Sequence, residues 1–333
     1  MSGLRGALLA ALRTGQWKPF LKPYVRLYAR LANWKGLLLL QVNGVICLDK
    51  PQGKTSFDCC AFIRRLLGTK KVGHAGTLDP MATGVLPILV GSATRALDLL
   101  PVQDKRYTAT LRLGFVSDTQ DIWGSVSATG CALPSLNMVE KALGNFRGDI
   151  LQTPPMMSAL KRGGVRLYDL ARQGIEVERE PRPVTIYSLE LLDYNQATGE
   201  AVIDCHCSKG TYIRTICADL GELLGCGGVM SALRRTMAAG FTLEDCVTME
   251  QAEELFKSGQ LEQYIKPVDS LFGCYGKVTV STAQAVRFKN GGSLSLERIK
   301  SRVSDIVRVY SPAGEFLGLG KPENGELKVL KLF

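Results

Sequence analysis

The most irregular segment of the chain reads Gly73-His74-Ala75-Gly76-Thr77-Leu78-Asp79-Pro80-Met81-Ala82-Thr83-Gly84. Its glycines and proline predict a loop, and loops of this kind carry side chains that act on ligands. Pro80 disfavours helical backbone at Asp79, so the carboxylate projects from a constrained position. Asp79 is therefore either the N-cap of a helix or a catalytic residue, and spacing alone leaves both roles open. His74 is likewise open between a local hydrogen bond and a function.

A strand, a loop and a basic helix precede this segment. Residues 43–48 predict a buried strand, Lys-Pro-Gln-Gly-Lys a loop, and Ser56 the capped start of a helix that ends at Gly68. Between positions 50 and 71 a single acid, Asp58, accompanies the basic residues Lys50, Lys54, Arg64, Arg65, Lys70 and Lys71. This basic patch is compatible with phosphate binding.

The rest of the chain predicts an α+β fold, because strands and helices do not alternate regularly. Apolar residues alternate over 105–113, as in a half-buried strand. Further patterns predict helices at 136–146, 212–224 and 249–257, and strands at 184–194 and 201–207. From about Lys266 short strands punctuated by glycine follow, at 277–280, 306–310, 315–320 and 327–332. We read these as a small β-rich C-terminal domain that packs against the first.

Most of the excess positive charge lies at the N-terminus. The chain of 333 residues has 41 Lys and Arg against 31 Asp and Glu, a net charge of +10. Seven basic residues and no acid precede Asp49, which leaves +3 for the remainder (34 − 31). Residues 1–42 are predicted to be a basic extension, read alternatively as a targeting peptide, an extra helix or a product of an upstream start codon.

The ten cysteines are scattered among apolar neighbours, which is typical of reduced thiols in the cytosol. We expect no disulfides and a cytoplasmic location, with organelle import as the alternative. The longest apolar run, 36–48, is interrupted by Gln41 and Asn43 and is shorter than the roughly 20 residues of a membrane helix. We therefore expect no membrane span.

Two short motifs suggest a metal and a nucleotide, and neither is complete. Cys205-His206-Cys207 lacks a fourth ligand, and in a strand the histidine points away from the two cysteines, so we expect no metal site. The Gly53-Lys54-Thr55-Ser56 sequence lacks the earlier glycine of a P-loop, because Leu48 stands there. A nucleotide-dependent enzyme remains an alternative that predicts saturable ATP binding.

The segment Ser208-Lys209-Gly210-Thr211-Tyr212-Ile213-Arg214-Thr215 joins a strand to a helix, with Arg214 in its first turn. The guanidinium could pair with an exposed carboxylate such as Asp79. The alternative is a solvated surface arginine.

From Gly44 to the C-terminus the chain resembles the TruB family of tRNA pseudouridine synthases. The resemblance rests on an ordered set of motifs: Gly44-Val-Ile-Cys-Leu-Asp-Lys-Pro51, Gly53-Lys-Thr-Ser56, the loop from Gly73 to Gly84, Asp104-Lys-Arg-Tyr107, Thr119-Gln-Asp121, Ser158-Ala-Leu-Lys161, Leu167-Tyr168, Ala171-Arg-Gln-Gly174 and Ser208 to Thr215. It implies a pseudouridine synthase catalytic domain with a mixed, mainly antiparallel sheet at 43–265. It also implies a PUA-like RNA-binding domain at 266–333.

The resemblance also implies an isomerase that needs no cofactor and no metal. Asp79 would attack during cleavage of the N-glycosidic bond of uridine 55 in the T arm of tRNA, on the sugar or on the base, and the base would rotate and rejoin through C5. Tyr107 would stack on the base and handle the C5 proton, and Arg214 would pair with Asp79. Tyr212 and Leu233 match pocket residues, and His74 matches a histidine beside the flipped-out nucleotide. The basic patch, with Lys50 and Lys54, would bind the phosphates of the arm.

The partner implied is tRNA, with no membrane and no obligatory protein partner, and we expect a monomer. A second function from another class is a tRNA-folding chaperone that uses the same surface and in which catalysis is secondary.

Overall fold

The structure is a computed structural model that describes residues 42–333. The predicted N-terminal extension lies outside these residues, apart from Val42. The strands are β1 (Gly44–Lys50), β2 (Val72–His74), β3 (Thr83–Val90), β4 (Lys105–Leu113), β5 (Phe115–Ser117), β6 (Val126–Ala128), β7 (Gly148–Gln152), β8 (Lys161–Arg162), β9 (Val165–Arg166), β10 (Arg182–Asn195), β11 (Glu200–Cys207), β12 (Gly228–Ala238), β13 (Phe241–Thr242), β14 (Cys246–Val247), β15 (Gly276–Thr279), β16 (Leu294–Ser295), β17 (Val307–Tyr310), β18 (Phe316–Glu323) and β19 (Glu326–Leu332). The α-helices are α1 (Ser56–Leu66), α2 (Leu136–Leu143), α3 (Leu167–Arg172), α4 (Ile213–Leu223), α5 (Met249–Lys257) and α6 (Thr282–Lys289). Short 3-10 helices include Gly91–Leu99 and Val268–Phe272.

The central element is one large mixed sheet with strand order β14-β1-β3-β12-β4-β11-β10-β7, to which β2 adds beside β3 and β13 beside β12. The pairs β1–β14 and β3–β12 are parallel, and the other pairs are antiparallel. This mixed, mainly antiparallel sheet confirms the predicted α+β class.

Each face of the large sheet buries its own apolar cluster. Helices α1 and α4 cover one face, where Ile63 and Ile216 pack with Leu48, Leu86 and Leu111. On the opposite face, Val45 and Val85 belong to a second apolar cluster. Because strand side chains alternate between faces, β1 supplies Ile46 and Leu48 to the first face and Val45 and Cys47 to the other.

The N-cap of helix α1 is one residue earlier than the sequence predicts. Thr55, not Ser56, is the N-cap: its hydroxyl accepts the Asp58 amide at 3.0 Å, and the Asp58 carboxylate accepts the Thr55 amide at 2.9 Å. The reciprocal pair satisfies two amides that the helix itself leaves free. At the other end Gly68 adopts a φ of 62°, which is unfavourable for residues with a side chain.

The predicted strand over 105–113 is confirmed as β4, with Tyr107, Ala109, Leu111 and Leu113 buried on one face. The predicted strands at 184–194 and 201–207 and the helices at 136–146, 212–224 and 249–257 are also present, with bounds shifted by a few residues.

Two central strands of the sheet, β3 and β12, lie where the sequence analysis predicts none. Pro87 interrupts the apolar run of β3, and proline is uncommon inside a sheet because it lacks an amide hydrogen. In β12, Arg234 and Arg235 interrupt the apolar pattern, and Arg235 is nevertheless fully buried. Both strands are stabilised by neighbours that are distant in sequence.

The C-terminal part forms a second, five-stranded sheet in the order β15-β17-β18-β19-β16. Leu319 of β18 belongs to the same apolar cluster as Val45 and Val85 of the large sheet, with Phe272 between them. The expected packing of the two parts against each other is thus observed. The chain enters the second sheet after Lys266, which bonds to the backbone of Val45 in both directions at 2.8 Å.

All ten cysteines, which lie within the described residues, are free thiols. Cys205 and Cys207 are buried on one face of β11, and His206 points to the other, where its Nε2 lies 2.5 Å from Asp104 Oδ2. Within residues 42–333 no group of three or more His, Cys, Asp or Glu side chains is arranged to hold a metal ion. No helix of this part is long and apolar enough to cross a membrane.

Candidate active site

Asp79 lies in the loop between β2 and β3, and no helix follows it, so the N-cap alternative is wrong. Its carboxylate is paired with Arg214: Nε of the arginine lies 3.0 Å from Oδ2 of Asp79. The Asp79 side chain is 37% exposed, whereas that of Arg214 is only 5% exposed. The carboxylate is therefore partly open to solvent, and the cation that pairs with it is buried.

Arg214 also contacts a second acid, Asp121, whose Oδ2 lies 3.5 Å from Nη1. Asp121 is buried and is held by the Thr119 hydroxyl at 2.6 Å and the Trp123 amide at 3.0 Å. The guanidinium further donates to the carbonyl oxygens of Thr119 at 3.2 Å and Met157 at 2.9 Å. The result is a fixed chain of charges, Asp79–Arg214–Asp121. Asp121 lies in the Thr119-Gln-Asp121 motif, but nothing in the residue pattern predicts its contact with Arg214.

The start of helix α4, which carries Arg214, is fixed by a side chain from another part of the sheet. Gln152 of β7 donates its amide to the Tyr212 carbonyl at 3.0 Å and accepts the Tyr212 amide at 2.7 Å. No side chain of α4's own N-cap makes a capping hydrogen bond. Gln152 is 2% exposed, so this pair of hydrogen bonds is shielded from water.

Three buried side chains hold the backbone of the Asp79 loop from below. Ser56 accepts the Leu78 amide at 2.9 Å and donates to the Leu78 carbonyl at 3.2 Å. Lys50 donates to the Pro80 carbonyl at 3.1 Å. Arg235 donates to the carbonyls of Gly76 at 3.1 Å and Thr77 at 3.3 Å. The residues on both sides of Asp79 are thus fixed, which limits where its carboxylate can move.

The position of Lys50 corrects the sequence analysis. Its side chain is fully buried, and its ammonium donates to the Lys54 carbonyl at 2.6 Å and the Pro51 carbonyl at 2.9 Å as well as to Pro80. Burial lowers the pKa of Lys50 to about 8. A buried ammonium with three carbonyl partners does not face a phosphate, so Lys50 positions the loop rather than binding RNA. The Gly53 amide is likewise engaged, because it donates to the Pro80 carbonyl at 2.8 Å.

Tyr107 lies on β4, with its side chain on the same sheet face as the α1 and α4 helices. It is 6% exposed, and burial raises the pKa of its phenol to about 12. Its direct partner on β12 is Arg235, and Ala109, two residues on, is paired with Leu233. Tyr107 and Leu233 therefore lie side by side on one face of the sheet.

The other predicted site residues are buried to different degrees. His74 ends β2 and is partly buried, and burial together with the charge of Arg235 lowers its pKa, which favours the neutral ring. Tyr212 precedes α4, and burial raises the pKa of its phenol. The charges of both Arg214 and Asp79 act on that phenol, which indicates that it faces the same centre. Lys54 is exposed.

An exposed basic surface adjoins the centre along α1 and the turn after it. Lys54, Arg65, Lys70 and Lys71 are exposed, and the nearby Asp58 is engaged by Thr55 in the helix cap. This surface is suited to a polyanion, because the positive side chains lack acids of the same segment as partners.

Comparison with known proteins accounts for nearly all of the described chain. Residues 64–213 match the N-terminal domain of TruB family pseudouridylate synthase. Residues 214–273 match the tRNA pseudouridylate synthase B C-terminal domain, and residues 276–333 match the description "Pseudouridine synthase II TruB, C-terminal".

Curated relatives agree with these matches. The chain is 45% identical over 289 residues to tRNA pseudouridine synthase B of Dechloromonas aromatica, covering 86% of this chain and 94% of the relative. The protein of the same name from Heliobacterium modesticaldum is 51% identical over 235 residues, covering 70% of this chain and 76% of the relative.

Solved structures show the same fold at lower identity. The crystal structure of a Cbf5-Nop10-Gar1 complex contains a chain that is 26% identical, with a TM-score of 0.66 over 87% of this chain and 84% of that one. The structure of an H/ACA RNP bound to a substrate RNA containing 2'-deoxyuridine gives a TM-score of 0.66 at 24% identity, over 87% of this chain and 84% of that one. Family matches along the chain, close relatives and a shared fold lead to one conclusion: the chain belongs to the TruB family of pseudouridylate synthases.

Proposed function

We propose that this protein isomerises uridine 55 in the T arm of tRNA to pseudouridine. The relatives that it matches over most of its length are named tRNA pseudouridine synthase B, which supports tRNA as the substrate. The observation that carries the proposal is the ion pair between Asp79 and Arg214 at 3.0 Å. The Asp79 side chain is 37% exposed, and the backbone of its loop is held on both sides. A carboxylate fixed in this way is suited to act as a nucleophile.

In the proposed reaction Asp79 is the nucleophile in the step that breaks the N-glycosidic bond. The detached base rotates and rejoins the ribose through C5, and the hydrogen on C5 then leaves as a proton. Arg214 positions the Asp79 carboxylate, and Asp121 keeps Arg214 in place from the other side. Tyr107 stacks on the base and takes the C5 proton. No cofactor and no metal enters this scheme.

Uridine 55 must leave the stack of the T arm to reach Asp79, which costs a few kcal/mol that pocket contacts offset. We assign these contacts to Tyr212, Leu233 and His74. Lys54 and the exposed basic residues of α1 bind the phosphates of the arm. Residues 43–265 form the catalytic domain in this proposal, and residues 266–333 a PUA-like domain that also contacts RNA.

The proposal includes a monomer that needs no protein partner and works in the cytoplasm, a compartment in which free thiols such as the ten found here persist. A solution measurement of molar mass with and without tRNA tests the first point.

The test is single-turnover conversion of uridine 55 in an unmodified tRNA transcript, with wild type and Asp79→Asn compared at matched folding and tRNA binding. We expect conversion by the wild type and none by the variant. Both proteins binding tRNA while neither converts uridine 55 would refute the proposal and leave the chaperone alternative. Conversion of another uridine only would keep the reaction and change the site.

A further inference from the structure

Arg235 is a fully buried cation, and no carboxylate of residues 42–333 forms an ion pair with it. Its hydrogen bonds run to three backbone carbonyls: Val85 at 2.7 Å, Thr77 at 3.3 Å and Gly76 at 3.1 Å. Carbonyl dipoles stabilise a guanidinium only in part, so the protein buries a positive charge without a formal counter-charge. Burying a charge in this way costs free energy of folding, and holding a loop does not by itself require a charged side chain.

Close packing keeps this cation in place. Gly84 is its partner on β3, and a Cβ at Gly84 would lie 2.1 Å from the Arg235 carbonyl oxygen. A Cβ at Gly76 would lie 3.5 Å from Nη1 of Arg235. The backbone of β3 therefore fits closely against the backbone of Arg235, while the guanidinium is held by its three carbonyl partners.

The side chain that faces Arg235 is Tyr107. The two residues are direct partners on β12 and β4, so their side chains project from the same face of the sheet. Charge and hydrogen bonding from Arg235 lower the pKa of the phenol, although burial, the larger effect, raises it. The charged or titratable groups that act most strongly on the pKa of Tyr107 are Arg235 from β12, Cys207 from β11 and Asp79 from its loop. Of these only Arg235 is positive.

We propose that Arg235 is a positioning residue for Tyr107, whose unpaired charge stabilises the tyrosine oxygen as an anion while the C5 proton is transferred. This inference rests on the proposed function, and it assigns to Arg235 a role that is separate from that of Arg214 at Asp79. The negative charge that the buried guanidinium lacks at rest appears on its neighbour during the reaction.

The proton transfers balance without an outside base. The base leaves the ribose as an anion and takes the phenol proton of Tyr107 at N1, which leaves a phenolate beside Arg235. Asp79, which has replaced the base at C1′ of the ribose, leaves as a carboxylate when C5 bonds to C1′. The phenolate then takes the C5 proton, and the electron pair of the C–H bond returns to the ring. The tyrosine is a phenol again, and one hydrogen has moved from C5 to N1.

A purely structural arginine makes a different prediction. If Arg235 only holds Gly76, Thr77 and Val85, its loss slows every step that depends on the loop. The C5 proton transfer then limits the observed rate no more than it does in the wild type. The two readings therefore differ in how strongly the rate responds to deuterium at C5.

The experiment measures single-turnover conversion of unmodified tRNA carrying hydrogen or deuterium at C5 of uridine. Wild type is compared with Arg235→Gln, Arg235→Lys and the neighbouring control Arg234→Gln, whose arginine is 42% exposed and paired with Asp49 at 2.8 Å. We expect Arg235→Gln to slow conversion by about 10- to 100-fold and to show a larger isotope effect than wild type. Arg235→Lys should be intermediate in both, because it keeps the charge without the planar fork. The control should stay within about twofold of wild type.

A slow Arg235→Gln with the isotope effect of wild type would overturn the inference, as would Arg235→Lys being equal to Arg235→Gln in rate and isotope effect. If Arg235→Gln does not fold, Arg235→Lys decides alone: a larger isotope effect than wild type supports the inference, and an equal one refutes it. A wild type that converts no uridine refutes the proposed function and this inference with it. A wild type that converts while the isotope effect stays constant refutes this inference only.

Discussion

Nε of Arg214 lies 3.0 Å from Oδ2 of Asp79, although the two residues are far apart in the sequence. Arg214 stands in the first turn of α4, and Asp79 lies in the loop before β3. The side chain of the arginine is almost fully buried while that of the aspartate is partly open. The buried Arg214 thus fixes the position of a carboxylate that solvent can reach.

Asp121→Asn should slow single-turnover conversion by about 10- to 100-fold, because Arg214 loses one of its two carboxylate partners and a small displacement of a catalytic group is costly. The tRNA affinity should change by less than about twofold, since Asp121 is buried. The control is Asp118→Asn in the same hairpin, where an exposed carboxylate accepts the Ser125 amide at 2.8 Å. An equally slow Asp118→Asn would contradict the role of Asp121.

Gln152→Ala should lower the free energy of unfolding by about 2–4 kcal/mol, because it leaves the amide and carbonyl of Tyr212 without partners in a buried place. Urea unfolding measures this change. Gln263→Ala, at an exposed position, should stay within about 0.5 kcal/mol of wild type. Equal stability of the two variants would show that the hydrogen bonds to Tyr212 contribute nothing.

Gly84→Ala should destabilise the fold by about 3 kcal/mol or more, because two costs combine at this position. Its φ is 102°, and a Cβ would lie 2.1 Å from the carbonyl oxygen of Arg235. Gly130→Ala is the matched control: its φ is 71°, and no atom lies within 4 Å of the added Cβ. Only the backbone cost of about 1–2 kcal/mol should remain there. Thermal and urea unfolding compare the two, and similar losses would argue against the close approach of β3 and β12.

Lys50 should make the fold more stable as the pH rises from about 8 to 10.5. Burial lowers its pKa from 10.5 to about 8, so in this window the unfolded chain holds a proton that the folded protein has lost. Unfolding then takes up a proton, and the free energy of unfolding increases with pH. Wild type should therefore gain stability relative to Lys50→Met across the window. Urea unfolding at several pH values tests this, with Lys54→Met as a control for the loss of one positive charge. A constant difference between wild type and Lys50→Met would refute the prediction.

The double variant Lys70→Ala and Lys71→Ala should weaken tRNA binding about 3- to 10-fold and reduce the slope of log affinity against log salt by about 1–2. Both lysines are exposed on the basic surface after α1. Lys257→Ala, which removes an amine paired with Glu253 at 2.8 Å on α5, should leave the slope unchanged. A salt slope that is the same in all three proteins would exclude this surface from phosphate binding.

Several local features follow from short stretches of sequence. Alternation over 105–113 identifies β4 and the buried side of Tyr107, since the period of a strand depends only on neighbouring residues. Pro80 and the surrounding glycines predict the loop that carries Asp79. The helix after Thr55 is predicted as well, although the capping residue is Thr55 rather than Ser56.

The structure differs from the sequence-based predictions mainly where charged side chains are buried. The sequence predicts Lys50 on phosphates, but this side chain is buried under the Asp79 loop. The residue pattern does not predict β12, because this strand carries Arg234 and Arg235. Local periodicity treats a lysine or an arginine as a surface residue. Whether such a side chain is buried depends on carbonyls and acids that other segments supply.

Composition, periodicity and motifs are enough to predict the α+β class, the elements flanking the loop and the family to which the chain belongs. The pairing of Arg214 with both Asp79 and Asp121, the hold of Gln152 on the start of α4, and the position of Arg235 opposite Tyr107 follow only from the folded structure. Local structure depends on propensity and periodicity over a few residues, whereas these contacts exist only once distant strands have paired and water has been excluded between them.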